Sequence, residues 1–89
     1  MYTVYILKST VKERYYVGVS KNILRRIKQH NAGYTRGTKA HRPWVILYQE
    51  THETASLAYT REKYFRKPKG RAEKKEIIKN LTTNADLNT

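Results

Sequence analysis

Two short segments near the start of the chain restrict its fold more than any other feature of the sequence. Residues 2–7, YTVYIL, and residues 14–19, RYYVGV, are rich in β-branched and aromatic side chains, and a short polar stretch separates them. Segments of this composition are typical of β-strands. We therefore predict an antiparallel hairpin whose loop is longer than a two-residue turn.

The remaining elements follow from hydrophobic periodicity and from capping residues. Ser20 or Asn22 can cap the helix that follows the hairpin, Gly33 can end it, and Thr54 can cap a second helix. The predicted elements after the hairpin are a helix over residues 23–31, a glycine-containing basic loop, a strand over residues 44–50, and helices over residues 55–67 and 71–81.

This order of elements, β-β-α-β-α-α, predicts one α+β domain over residues 1–81. Its core element is a small three-stranded sheet, mixed or antiparallel, that is flanked by helices. Pro68 and Gly70 should break the chain between the last two helices. Residues 82–89 are expected to form a polar, frayed tail.

The composition excludes several classes of protein. The 89 residues contain no cysteine, which excludes disulfide partners, thiol nucleophiles and zinc sites built from cysteine. No apolar run reaches the length of a transmembrane helix, and the N-terminus lacks a basic leader and a cleavage site. We therefore expect a cytoplasmic protein without a membrane partner.

The charge balance indicates a polyanionic partner. The formal net charge is +12, from 19 Lys and Arg against 7 Asp and Glu, and residues 14–49 contain no acid at all. Such an excess attracts nucleic acid, although a solvated basic face is also compatible with it. The candidate contacts to a DNA backbone are Lys21, Arg25, Lys28, Arg36, Lys39 and Arg42.

The first predicted helix places two polar residues at the border of its apolar face. Ile23, Leu24 and Ile27 define the stripe expected to be buried, and Arg26 and His30, four residues apart, lie together beside it. A border position can hold a side chain by packing and still let it reach a groove. Spacing alone leaves open that both residues are simply solvated.

The second predicted helix carries a carboxylate among apolar residues. Ala55, Ala58, Glu62 and Phe65 share one helical stripe. A carboxylate in that position needs a metal ion, a raised pKa or a cationic partner. The cations available for an ion pair include Arg61, Lys63 and Arg66.

Tyrosines mark the first two strands. Tyr5 and Tyr16 lie in mid-strand, and a hairpin register that pairs them would direct both hydroxyls to one face of the sheet. Gly18 follows, where a missing side chain allows another group to come close. Tyrosine at a half-buried strand position can also be packing alone.

Taken in order, these segments resemble the GIY-YIG nuclease superfamily. TVYIL has Val4-Tyr5 in place of Ile-Tyr, and YYVGVS has Tyr16-Val17-Gly18 in place of Tyr-Ile-Gly. NILRRIKQHN is similar to the family's helix in which an Arg precedes a His or Tyr by four, and ASLAYTREKYFRKPKGR to the helix with the metal-binding Glu. The loop TKAHRPWVILYQE resembles small standalone bacterial members, so the resemblance spans residues 2–79.

The resemblance implies a metal-dependent DNA endonuclease that hydrolyses phosphodiester bonds with one divalent metal ion. It implies that Glu62 binds Mg²⁺ or Mn²⁺ and that Arg26 binds the scissile phosphate. Tyr5, Tyr16 or His30 is the general base, and the resemblance does not distinguish them. The DNA partner is duplex or branched.

Two other functions remain compatible with the sequence. A non-catalytic module that binds structured DNA or RNA explains the charge and the aromatic residues equally well. A small structural protein of a ribonucleoprotein explains the charge too. Neither explains a carboxylate on an apolar stripe.

Overall fold

The computed structural model describes residues 1–87, in seven elements. These are β1 (Tyr2–Ser9), β2 (Tyr15–Ser20), α1 (Ile23–Ala32), α2 (Arg36–Lys39), β3 (Trp44–His52), α3 (Ala55–Tyr64) and α4 (Pro68–Leu87). Apart from the short helix α2, which lies in the segment predicted as a basic loop, the order is the predicted one. The α+β fold class is confirmed.

The sheet is antiparallel throughout, with the strand order β2-β1-β3. Strands flank β1 on both edges and helices pack on both of its faces, so the four residues from Val4 to Leu7 are at most 1% exposed. The alternation along β1 therefore sends neighbouring side chains into two separate cores.

The two cores lie on opposite faces of the sheet. On one face, Val4 packs with Ala58 of α3 and with Phe65, the residue that follows α3, and Ile77 of α4 packs against this cluster. On the other face, Tyr5, Leu7 and Trp44 pack against α1 through Ile23 and Ile27. Helix α1 thus covers one face, and helices α3 and α4 cover the other.

One residue of the predicted α1 stripe is not buried. Leu24 is 68% exposed, whereas Ile23 and Ile27 contact the core. At 100° per residue the stripe that faces the sheet includes residues 23, 27 and 30, and Leu24 turns away from it. His30 takes the buried position instead.

The helix boundaries follow local capping chemistry. The Asn22 side-chain oxygen accepts a hydrogen bond from the Arg25 amide at 3.1 Å, and the Thr54 hydroxyl accepts one from the Leu57 amide at 3.2 Å. Gly33 ends α1 with φ of 88°, a conformation that residues with a Cβ rarely adopt. Of the two candidate caps for α1, the structure uses Asn22.

The last two helices differ from their predicted ranges. Helix α3 ends at Tyr64, and α4 begins at Pro68, because proline fits the first position of a helix, where no amide donor is needed. Gly70 packs against the Tyr64 carbonyl and leaves no room for a Cβ. Helix α4 continues to Leu87, past the predicted end at residue 81, because no Gly or Pro interrupts it; residues 88–89 lie outside the described residues.

Candidate active site

The Tyr5 side chain lies across the outer strand of the sheet. In the hairpin register Tyr5 is opposite Gly18, and Tyr16 is opposite Leu7, so the register does not pair the two tyrosines directly. Tyr16 nevertheless shares a face with Leu7, and hence with Tyr5. A Cβ at Gly18 would lie 2.6 Å from Cζ of Tyr5, so this glycine makes room for the tyrosine ring.

The Tyr5 hydroxyl meets His30 of α1. The distance from the Tyr5 oxygen to Nε2 of His30 is 3.1 Å, and both side chains are buried. Burial raises the pKa of Tyr5 above its ordinary value, the charge of Glu62 adds to that rise, and Arg26 opposes it. Tyr5 is therefore protonated near neutral pH and donates its hydrogen to a neighbouring acceptor.

The other nitrogen of His30 is held by Thr38 of α2. Nδ1 lies 2.8 Å from the Thr38 hydroxyl oxygen, and that hydroxyl donates to the Thr35 carbonyl at 3.3 Å. Because the Thr38 hydrogen is used in this way, we assign the hydrogen of the imidazole to Nδ1. Nε2 is then free to accept the hydrogen of Tyr5.

His30 is uncharged near neutral pH. It is 0% exposed, and burial together with the nearby Arg26 guanidinium lowers its pKa from 6.5 to about 4. Tyr16 packs edge-on against the imidazole, with ring centroids 4.9 Å apart and planes at 61°. The interpretation of His30 as a solvated surface residue is therefore wrong.

Arg26 lies half-buried beside this aromatic cluster. Its Nη1 donates to Oε1 of Gln29 at 3.0 Å, which fixes the guanidinium along α1. It lines a groove of about 260 Å³ together with Lys21 and Arg25; we call this the Arg26 groove. The groove opens at the end of β2, where Ser20 contributes to its wall.

Glu62 lies on the predicted stripe of α3. Ala58 and Phe65 on that stripe are both 0% exposed, and the Glu62 side chain is 16% exposed. One carboxylate oxygen lies 3.5 Å from Nη2 of Arg66, a residue whose side chain is 66% exposed. The ion pair expected as one alternative is thus present, although it is long and faces solvent.

The six side chains predicted to contact a DNA backbone are all exposed. Four of them form two pairs, and the other two stand alone. Lys21 and Arg25 line the Arg26 groove. Lys39 and Arg42 lie against Gly33 at the end of α1. The single residues, exposed on α1 and α2 respectively, are Lys28 and Arg36.

Sequence reasoning missed two sets of contacts, one on each face of the sheet. Thr38 lies eight residues after His30 inside a segment predicted as a basic loop, and no spacing rule links the two. Glu50 binds Arg61 through Nε at 3.0 Å, and Arg61 also contacts Glu73, so Arg61 does not pair with Glu62. These contacts join distant segments that no local pattern connects.

A model of the GIY-YIG catalytic domain matches residues 1–76. A UPF0213 protein of Staphylococcus aureus (strain Mu3) is 39% identical over 77 residues, which cover 85% of this chain and 92% of the relative. A UPF0213 protein of Streptococcus sanguinis (strain SK36) is 38% identical over 71 residues, which cover 79% and 80% respectively. No solved structure matches this chain.

Among the helices of residues 1–87, none combines the length and the apolar character that crossing a membrane requires.

Proposed function

The chain belongs to the GIY-YIG catalytic domain family, and on this premise we propose that it is a divalent-metal-dependent endonuclease that hydrolyses DNA phosphodiester bonds. The observation that carries the proposal is the buried Tyr5–His30 hydrogen bond beside Arg26, with the charge of Glu62 near enough to raise the pKa of Tyr5. A packing function alone does not account for a buried, neutral histidine that accepts from a buried tyrosine beside an arginine.

The carboxylate of Glu62 fits a site for Mg²⁺ or Mn²⁺ that uses a single protein ligand. It is half-buried, and its only ion pair in the described part of the chain is the 3.5 Å contact with an exposed arginine. No group of three potential ligands occurs among the described residues, and magnesium commonly needs only one or two carboxylates beside waters and phosphate oxygens. When bound, such an ion would stabilise negative charge on the phosphate and the leaving oxygen.

Arg26 would bind the scissile phosphate. Its guanidinium presents donors in a planar fork, a geometry that suits two oxygens of one phosphate. Arg26 lines the groove on one side and lies beside the Tyr5–His30 pair on the other. A phosphate bound to its guanidinium would therefore lie close to the tyrosine hydroxyl.

Tyr5 and His30 would remove the proton of the attacking water together. The water proton passes to the Tyr5 oxygen as the Tyr5 proton passes to Nε2 of His30, and Nδ1 keeps its own hydrogen on Thr38. The pKa of about 4 makes His30 a weak acceptor in the free protein. A phosphate bound to Arg26 offsets one cause of that low value, because its negative charge opposes the guanidinium.

The proposal is tested by nicking of supercoiled plasmid in Mg²⁺, in Mn²⁺ and in EDTA. We expect Glu62→Gln to reduce nicking by roughly 100-fold or more, as EDTA does, and to leave DNA binding intact. Glu53→Gln is the matched control, since it removes the same charge from an exposed glutamate. Nicking by Glu62→Gln at the wild-type rate would refute the assignment of the metal ligand.

A non-catalytic nucleic-acid-binding module is the second candidate, and the net charge of +12 favours it. It predicts a protein that binds duplex or branched DNA, or RNA, without cutting it in any divalent metal. That outcome on plasmid and on branched substrates would replace the nuclease proposal.

A further inference from the structure

Helix α4 carries a column of cations on its exposed side. Arg71, Lys75 and Lys79 follow one another at intervals of four residues, so their side chains lie along one line of the helix; we call them the α4 stripe. Like charges at this spacing repel and weaken a helix. None of the ion pairs among the described residues involves the stripe.

The stripe adjoins a groove between α4 and the β1–β2 hairpin. This groove measures about 450 Å³ and is lined by Lys74, Lys75 and Lys79 from the helix and by Glu13, Arg14 and Tyr15 from the hairpin. Its one carboxylate, Glu13, already accepts a hydrogen bond from the Tyr15 hydroxyl at 3.4 Å. Four cations therefore share a concave surface with a single acid.

One of these cations is partly withdrawn from water. Lys74 is half-buried, and burial together with the neighbouring Arg71 lowers its pKa. Lys74 has no acidic partner among the described residues, so an anion that binds beside it would stabilise its charged form.

The position of the groove relates it to the candidate active site. Tyr15, which lines the groove, is the first residue of β2, and Ser20, which lines the Arg26 groove, is the last. Tyr16 and Gly18 of the candidate site lie between them. Six residues of strand span about 20 Å, so the two cationic grooves lie at opposite ends of the outer strand, one beside α1 and the other beside α4 on the opposite face of the sheet.

We propose that the α4 stripe and its groove bind the phosphate backbone of nucleic acid at the end of β2, and on the face of the sheet, opposite to the Arg26 groove. The proposal rests on the proposed function only in naming the bound nucleic acid as the substrate. A nucleic-acid backbone fits the groove better than a membrane surface does, because Ile78, the one aliphatic side chain among the described residues that line it, is half-buried.

The test compares two double variants that remove the same charge. Lys75→Ala/Lys79→Ala removes two members of the stripe, and Lys63→Ala/Lys69→Ala removes one exposed lysine of α3 and one at the start of α4 that is not part of the stripe. Affinity for a fluorescein-labelled 30-base-pair duplex is measured by anisotropy in EDTA, between 50 and 200 mM salt. Each lost phosphate contact lowers the slope of log K against log salt by about 0.9.

For the stripe variant we expect the slope of log K against log salt to be about 1.8 less steep than for wild type. The fourfold rise in salt should therefore reduce the affinity of the variant by a factor roughly ten times smaller than the factor for wild type. The control variant should keep the wild-type slope, and Lys75→Arg/Lys79→Arg should retain it too, because charge is conserved. Equal slopes in the stripe and control variants would overturn the proposal. Loss of binding to phosphatidylserine vesicles but not to DNA would overturn it as well.

Failure of this inference and failure of the nuclease proposal are distinguishable. Binding in EDTA requires no cleavage, so a protein that never cuts DNA still supports the inference if the slopes differ as expected. A protein that nicks plasmid but shows equal slopes refutes the inference and leaves the nuclease standing.

Discussion

Acidification should destabilise the folded domain because it protonates His30. In the folded state burial and the Arg26 charge lower the pKa of His30 from 6.5 to about 4. Between these two values the unfolded chain binds a proton that the folded chain does not. Stability is therefore complete above pH 6.5, falls as the pH drops towards 4, and is constant below that with respect to this group.

The magnitude follows from the difference between the two pKa values. A difference of about 2.5 corresponds to a total loss of ~3 kcal/mol, of which ~2 kcal/mol is already lost at pH 5. Small domains unfold with free energies of roughly 5–15 kcal/mol, so this one residue controls a substantial part of the stability. In urea, with an m value of ~1 kcal/mol/M, the midpoint should fall by about 2 M between pH 7 and pH 5.

The chain provides its own reporter for this measurement. Trp44 is the only tryptophan, it is 3% exposed, and its indole nitrogen donates to the Thr38 carbonyl at 2.7 Å. Its fluorescence therefore follows the environment that also holds His30. Urea titrations of wild type and of His30→Gln at pH 7, 6 and 5 give the dependence of stability on pH for each protein.

The variant isolates the contribution of His30 from that of the carboxylates. His30→Gln should be less stable at pH 7 but should lose much less stability between pH 7 and pH 5. Although burial opposes it, hydrogen bonds from Tyr48, His52 and Arg61 hold the pKa of Glu50 below its ordinary value. The stability that the ionised Glu50 contributes is therefore lost only at a lower pH than the range of these titrations. An equal shift of the urea midpoint in both proteins would refute the assignment of a buried, neutral imidazole.

Two further substitutions test the geometry around the imidazole. Gly18→Ala places a methyl group against the Tyr5 ring, so we expect a destabilisation of ~1–3 kcal/mol in urea titrations and slower plasmid nicking. The control Gly37→Ala, whose Cβ meets nothing within 4 Å, should change neither the stability nor the nicking rate. Thr38→Val leaves Nδ1 of His30 without an acceptor, so it should lower the free energy of unfolding by ~1–3 kcal/mol and reduce plasmid nicking. Thr38→Ser keeps the hydroxyl and should restore both the stability and the nicking rate. Nicking by Thr38→Val at the wild-type rate would show that Thr38 does not position His30 for catalysis.

The candidate site residues come from the resemblance together with local patterns in the sequence. The resemblance assigns Arg26, His30 and Glu62, whereas spacing alone leaves open that Arg26 and His30 are solvated and shows only that Glu62 lies on an apolar stripe. The structure places all three around Tyr5 or within electrostatic reach of it. Their catalytic and metal-binding roles stay predictions, to be tested by the variants above.

The sequence by itself determined the order of the elements apart from α2, the capping of α3 by Thr54, and the α+β class, because periodicity and caps act within a few residues of each other. Only the tertiary structure decided that Tyr5 crosses Gly18, that His30 rather than Leu24 is buried, and that Thr38 holds its second nitrogen. Strand register and contacts between distant segments depend on how the whole chain packs, since many pairings satisfy the same local pattern. The chemistry of the candidate site lies in those contacts.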